Sequence, residues 1–361
     1  MRYYFTENGI FGEKKKTAWS KAREDINNIL KSSDFDELLL DTSKISSNGM
    51  LSKFGRHWNI KNTINKLFNT IKKDDIVVIQ LPLINNTIFF ANCLKHIKHR
   101  GAKIISVIHD LETLRIALLD DVSYITKVRT RIEERSVLKI SDSIIVHNKI
   151  MKQFLVEQGY PESKLVVLGL FDYLQDERAK AFIESREPDA DYNSIIIAGN
   201  LSPEKSGYIY NVPSNISVNL YGIGYVDNQS QNLKYYGSFQ PGDLPTKMHG
   251  GFGLVWDGDS SDTCSGVYGK YLRFNNPHKT SLYLSSGFPV IIWKEAALAS
   301  FIVDNDLGFA VDSLDEIPNV FEQLTKEQYL FFYNNVRMIK HQLQEGAFFK
   351  NAIKISLDHV K

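Results

Sequence analysis

The sequence predicts an α/β protein of two doubly wound, Rossmann-like domains facing each other across a cleft. Three observations carry that expectation. Short strands that are apolar throughout, Ile76–Leu81 above all, alternate with helical stretches, as in a parallel sheet covered on both faces. A charged segment, residues 175–191, contains Pro188, lacks a buried run and interrupts the series. The alternation then begins again at Ser194, with no short-period repeat.

In the first series Arg2–Phe5, Leu38–Leu40, Ile76–Leu81, Lys103–Ile108, Ser143–Val146 and Leu165–Leu168 read as strands. Helices are expected over Lys16–Lys31, where Ala18, Ala22, Ile26, Ile29 and Leu30 form one stripe, and over Asn86–Lys98, with Gly101 as its stop. Two more are expected over Leu111–Ile140 and Lys149–Glu157. The linker has room for one helix. In the second series the strands are Ser194–Ala198, Ile216–Tyr221, Leu233–Tyr236, Gly251–Trp256, Pro289–Trp293 and Phe309–Val311. Pro277–Ser286, Ala296–Val303, Leu314–Leu324 and most of Lys326–Lys361 read as helices. The boundaries that follow are 1–175, 176–335 and a helical end, 336–361, packing back on the first domain.

The bulk composition narrows the function. The 361 residues carry 43 Lys+Arg against 42 Asp+Glu, a formal net charge of +1, which argues against a nucleic-acid binder with a broad basic face. The two cysteines, Cys93 and Cys264, are too few for a disulfide framework or a four-cysteine zinc site. The N-terminus has no signal-peptide core, and no apolar run approaches the ~20 residues of a membrane span. The expected location is cytoplasmic. Peripheral contact with the inner face of a membrane and a homo-oligomer both stay open.

The segment Asn275-Asn276-Pro277-His278-Lys279 opens a helix after a buried strand. Asn276 is expected as its N-cap and Pro277 as its first residue, which places His278 and Lys279 at the second and third positions. The helix dipole disfavours a cation there, so Lys279 fits better with a phosphate over the free amides than without one. An ordinary solvent-facing lysine is the plain alternative. The preceding loop, Trp256-Asp257-Gly258-Asp259-Ser260-Ser261-Asp262, begins like a calcium loop but lacks that motif's later glycine and glutamate. It reads as a polar loop with Asx turns or as a wall contacting a ligand. Gly199-Asn200, with Lys205 beyond, and Tyr221-Gly222 end two earlier strands, where glycine lets backbone approach a ligand and Tyr221 offers a ring to stack on a base. In the first series His109-Asp110 ends a strand, suited either to general-base work or to capping the next helix through Asp110. Gly9–Lys16 is a flexible loop at the same edge, or a solvated charge run.

Several of these segments also carry a family likeness. Ile108-His109-Asp110-Leu111-Glu112-Thr113-Leu114-Arg115, Ala198-Gly199-Asn200-Leu201, Gly253-Leu254-Val255-Trp256-Asp257-Gly258, Asn275–Lys279 and Gly287-Phe288-Pro289-Val290-Ile291-Ile292-Trp293 occur in this order. The set resembles bacterial glycosyltransferases of the GT-B fold, the family of β-1,6-galactofuranosyltransferases and of the adhesin-modifying glucosyltransferase that adds the second sugar. The resemblance spans residues 1–320. It implies transfer of a galactofuranosyl or glucosyl group from a UDP-sugar, held by the second domain, to a glycan, lipid-linked glycan or glycoprotein acceptor held by the first. It implies no cofactor and no obligatory metal. Tyr221 and Gly222 would sit near the uridine, Asn275, His278 and Lys279 at the diphosphate, and Asn200, Lys205 and Trp256 at the donor. His109 and Asp110 would stand near the reacting hydroxyl, with Gly12, Glu112 and Arg115 on the acceptor side. The Glu-x7-Glu signature of another GT-B branch is absent, since no glutamate lies between Lys205 and Lys294. A UDP-sugar epimerase of the same fold and a non-catalytic sugar-binding subunit are the competing readings.

Overall fold

The computed structural model describes residues 1–8, 18–42, 50–85, 87–118, 124–188 and 190–361. They form two compact units. The first is Met1–Gly12, Ile26–Leu168 and Phe349–Lys361, and the second is Glu13–Asp25 and Gly169–Phe348.

Six strands build the first unit: β1 (Arg2–Asn8), β2 (Asp36–Asp41), β3 (Ile76–Leu81), β4 (Lys103–Ile108), β5 (Ser143–Val146) and β6 (Leu165–Val167). They lie in the order β2-β1-β3-β4-β5-β6, all parallel, with Val77 opposite Ile104 and Val107 opposite Ile145. Strands buried on both faces need apolar side chains in both directions, and Val77, Ile79, Ile104 and Val107 are fully buried. Each such side chain contributes about 1.5–3 kcal/mol of burial. The helices are α1 (Ala18–Lys31), α2 (Met50–Phe68), α3 (Phe90–His99), α4 (Glu112–Ala117), α5 (Tyr124–Ile140) and α6 (Lys149–Glu157). The helical region expected over Leu111–Ile140 holds two helices, α4 and α5, and α2 has no counterpart in the sequence reading. Its polar positions, Arg56, His57, Asn59, Lys61 and Asn62, crowd between its buried ones, Ile60, Ile64 and Phe68, and blur the stripe.

After α7 (Glu177–Glu184), capped by Asp176, come the strands of the second unit: β7 (Ser194–Asn200), β8 (Ser217–Ile223), β9 (Leu233–Tyr235), β10 (Phe252–Val255), β11 (Val290–Trp293) and β12 (Gly308–Val311). Their order is β12-β11-β10-β7-β8-β9, again parallel throughout. The helices are α8 (Pro203–Ser206), α9 (Leu244–Lys247), α10 (Gly266–Tyr271), α11 (His278–Ser285), α12 (Ala299–Asp304), α13 (Ile317–Gln323), α14 (Lys326–Gln344) and α15 (Ala347–His359). The stretch between β10 and α11 contains α10, and the helices expected over most of Lys326–Lys361 are α14 and α15, separated at Glu345–Gly346. α14 groups with the second unit, whereas α15 groups with the first from Phe349 onward. The core of the second unit gathers Tyr208, Tyr221, Phe252, Trp256, Tyr283 and Trp293, each under 2 % exposed. Tyr283 fits because residue 253 is glycine: a Cβ there would stand 2.1 Å from the ring, and the tyrosine hydroxyl accepts the Ala198 amide at 2.8 Å. The two parallel six-stranded sheets with their helices give the two-unit GT-B class.

Candidate functional site

In an open parallel sheet, ligands bind beyond the carboxyl ends of the strands where the strand order reverses. In the second unit that point lies between β7 and β10. β7 ends at Asn200, and β10 runs into Trp256-Asp257. α11 starts beside them and brings Lys279.

The start of α11 differs from the sequence expectation. Pro277 is the N-cap residue, with φ −66° and ψ 129°, and no side chain caps the helix. Asn276 is not the cap: it is buried, and its amide donates to the Gly169 carbonyl at 2.8 Å. His278 and Lys279 are accordingly the first two residues of the helix. The Lys279 ammonium donates to the Trp256 carbonyl at 2.8 Å and pairs with Asp257 Oδ1 at 2.9 Å. Both side chains are largely buried, at 14 % and 8 % exposed. A cation against the dipole is thus met by a carbonyl and a carboxylate, which the sequence reading did not foresee. His278 stacks on Tyr173, with ring centroids 5.1 Å apart, and its Nε2 lies 3.3 Å from the Asp172 carbonyl. Burial, aided by the nearby Lys21 charge, lowers its pKa to about 3, so at neutral pH the ring is uncharged. Its Nδ1 and Asn275 Oδ1 are buried and have no hydrogen-bond partner among the described residues. With Nε2–H given to the Asp172 carbonyl, Nδ1 is an acceptor, so any phosphate contact of His278 at neutral pH comes from its amide.

Lys205 approaches from α8, its ammonium 5.1 Å above the Tyr268 ring and its carbonyl accepting the Gly258 amide at 2.9 Å. That bond ties α8 to the loop after β10. Asn200 makes an Asx turn onto the Ser202 amide at 2.9 Å. Trp256 is fully buried, with its indole N–H donating to the Ser260 carbonyl at 2.9 Å, so its backbone rather than its ring faces Lys279. Tyr221 also belongs to the core. It is 1 % exposed, stacked on Tyr236 at 5.1 Å and hydrogen-bonded to His249 Nδ1 at 2.9 Å. A buried ring cannot stack on a base, which corrects the expectation for Tyr221. Gly222 is glycine for packing: a Cβ would stand 1.8 Å from the Gly199 carbonyl oxygen, at φ 152°. Lys205, Trp256, Asp257, Asn275, His278 and Lys279 thus gather around the ends of β7 and β10, while Tyr221 and Gly222 serve the sheet.

In the first unit the order reverses between β1 and β3, and His109 ends the next strand over. His109 is 6 % exposed, with Nε2 2.7 Å from Gln80 Oε1. The Gln80 amide in turn donates to Asn27 at 2.7 Å. Since Gln80 donates through nitrogen, its oxygen accepts, and His109 carries its proton on Nε2. Asp110 is not a helix cap. Leu111 occupies the N-cap of α4 without a side-chain bond, and Asp110 lies 3.3 Å from Arg115, which also binds Glu112 at 2.9 Å. Glu134 of α5 accepts the Thr113 amide at 3.3 Å, and burial raises its carboxyl pKa to about 7. His147, at the end of β5, is a further histidine at this edge. Its Nε2 lies 3.1 Å from the Ile108 carbonyl, and burial lowers its pKa to about 4. Gln80 and Glu134 were missed because each sits inside an element and nothing local marks the edge it supports. His147-Asn148 carried a signal, a polar pair straight after an apolar strand. Gly12 and the rest of Gly9–Lys16 up to Lys16 lie outside the described residues.

Among the described residues no group of three or more His, Cys, Asp and Glu side chains could hold a metal ion. Of the aspartates after β10, Asp257 is buried and pairs with Lys279, while the exposed Asp259 accepts from the Ser265 hydroxyl. Among the same residues no helix is long and apolar enough to cross a membrane.

Comparison with known proteins bears on the whole chain. The family models for the N-terminal and C-terminal domains of glucosyltransferase 3-like proteins match residues 2–170 and 195–355. The β-1,6-galactofuranosyltransferase WbbI of Escherichia coli (strain K12) is 35% identical over 298 residues, 81% of this chain and 82% of the relative. Glucosyltransferase 3 of Streptococcus gordonii is 25% identical over 345 residues, 95% of each chain. Among solved structures, Anabaena HepE in complex with UDP and glucose superposes with a TM-score of 0.58, at 13% identity and 99% coverage of both chains. The UDP-forming α,α-trehalose-phosphate synthase of Burkholderia xenovorans gives 0.55, at 10% identity, covering 94% of this chain and 86% of its own.

Proposed function

This chain belongs to the glucosyltransferase 3-like family, and we propose that it transfers a galactofuranosyl or glucosyl group from a UDP-sugar to a glycan, lipid-linked glycan or glycosylated-protein acceptor. The observation that carries the donor half is the constellation at the start of α11. A largely buried lysine, two free helix amides and two unpartnered polar atoms, Asn275 Oδ1 and His278 Nδ1, meet at the switch point of a parallel sheet. Buried polar atoms without partners are costly; both are acceptors that a sugar hydroxyl would satisfy, while the diphosphate would meet the helix amides and Lys279. Lys279 would exchange part of its contact with Asp257 for the leaving diphosphate, stabilising the negative charge that develops as the glycosidic bond breaks. His109 would take the proton of the acceptor hydroxyl, with Gln80 orienting its ring through Nε2. Asp110, Glu112 and Arg115 form a charged rim beside it that suits acceptor hydroxyls.

The reading needs no metal: the charge on the leaving group is met by amides and Lys279. The test is a donor screen with UDP-glucose, UDP-galactofuranose and UDP-N-acetylglucosamine, scoring UDP release and sugar transfer in the presence and absence of a chelator. Transfer from a hexosyl donor is the expected result. Epimerisation of a UDP-sugar without acceptor, or UDP release abolished by the chelator, would overturn the proposal.

A further inference from the structure

We propose that α2 and α3 of the first unit form a docking surface for an anionic lipid bilayer. The chain as a whole is almost neutral, yet these two helices carry Lys53, Arg56, Lys61, Lys66, Lys95 and Lys98 and not one Asp or Glu. The helices are neighbours: Cys93 approaches the Lys61 carbonyl, and the Trp58 and Phe89 rings meet edge to face at 6.1 Å. Helical spacing places Trp58, Asn62 and Lys66 on one exposed face of α2, and Asn92, Lys95, His96 and His99 on the exposed side of α3. Arg56 and Lys98 have partners, in Asn85 and Asp142. Lys66 and Lys95 stand exposed with no anionic partner among the described residues.

Charge alone describes a solvated helix face. What points to lipid is the apolar surface set within it. Trp58 is 46 % exposed and Ile88 43 %, and the Lys61 ammonium lies 4.4 Å above the Trp58 ring. An exposed indole, a branched aliphatic side chain and lysines on these neighbouring segments match a headgroup boundary, where the rings enter the interface and the ammonium groups meet phosphates. A soluble polyanion would satisfy the lysines but leave Trp58 and Ile88 in water. The position has a functional sense. Ile88 and Phe89 lie in the connection after the carboxyl end of β3, the edge at which the neighbouring strand β4 presents His109. A lipid-linked acceptor held at such a surface would meet that edge.

The inference is independent of the donor assignment, and so is its test. Flotation of the full chain is compared on vesicles of phosphatidylglycerol with phosphatidylcholine and on vesicles of phosphatidylcholine alone, with soluble dextran sulfate as a third arm. Strong flotation on the anionic vesicles only, weakened by salt, is expected. Lys66→Glu with Lys95→Glu should lower partitioning by about tenfold or more, given roughly a fivefold loss per lysine. Trp58→Ala should lower it as well, whereas a pure charge effect would leave it unchanged. The variants' circular dichroism and thermal unfolding midpoints report that the protein remains folded, and Lys66→Gln with Lys95→Gln gives a gentler version of the same change. Equal flotation on both vesicle types, undiminished flotation of the folded double variant, or binding to dextran sulfate without binding to vesicles would each overturn the proposal.

Discussion

The carboxyl edges of the two sheets solve one problem in two ways. Both place polar groups at the end of an apolar strand, where water is largely excluded. In the second unit the solution is ionic: Lys279 is neutralised by Asp257, 2.9 Å away, at the helix start that the dipole makes favourable for anions. In the first unit it is neutral: His109 is held by Gln80, and Gln80 by Asn27, with hydrogen bonds of 2.7 Å. The difference suits two tasks. An ion pair can exchange one anion for another with little reorganisation, as binding of a charged leaving group requires. A relay of neutral amides orients the imidazole ring, as proton abstraction requires. The strand orders differ in parallel, with β10 and β7 at the reversal in one unit and β1 and β3 in the other.

The comparison can be broken most sharply at the ion pair. Lys279→Ala leaves the Asp257 carboxylate buried without its partner, and removal of one member of a buried pair costs about 3–5 kcal/mol. The same variant should lose ~10–100-fold in UDP affinity, the worth of a charge-assisted contact. Calorimetric titration with UDP and denaturant unfolding measure the two separately. Adding Asp257→Asn should restore much of the stability and none of the affinity. Restored affinity would mean that Lys279 is structural, and the ionic half of the comparison would fall.

The neutral half is tested at His109. His109→Ala should lower kcat by about 10²–10⁴-fold while UDP affinity stays at the wild-type value. A variant that keeps its turnover would move the base elsewhere on this edge. The closely packed backbone between the two strands of the donor edge gives the next effect. Gly222→Ala forces a Cβ to within 1.8 Å of the Gly199 oxygen and should destabilise the protein by roughly 3 kcal/mol. Unfolding midpoints read this directly, and an unchanged midpoint would show that the β7–β8 contact is loose.

The smallest effect concerns pH. His147 is 1 % exposed, and burial lowers its pKa from 6.5 to about 4. The unfolded chain therefore binds a proton before the folded one does. The stability contributed is present above pH 6.5 and is lost as the pH falls through about 4. Between pH 7 and pH 5 the loss from this residue is about 2 kcal/mol. Unfolding midpoints in wild type and in His147→Asn measure it; the variant should show the shallower pH slope, and equal slopes would mean that His147 titrates normally in the fold.

The fold class was legible in the sequence because strands such as Ile76–Leu81 and Ser194–Ala198 need no partner to be identified: a run apolar on both faces has few other places to go. The helix start at residues 275–279 was legible for the same local reason, proline ahead of a helix with a lysine in its first turn. What the sequence alone determined was therefore the set of elements, their alternation and the edge at which chemistry-bearing residues stand. Tertiary structure decided which of those residues are available. Tyr221 looked like a stacking ring and is a core residue, because the sheet turns it toward His249. Asn276 looked like a cap and instead holds the Gly169 carbonyl, more than a hundred positions away. Lys279 gained Asp257, and His109 gained Gln80, from distant stretches of chain. Burial and partner choice depend on residues far apart in sequence, whereas periodicity and capping signals extend only over a few turns.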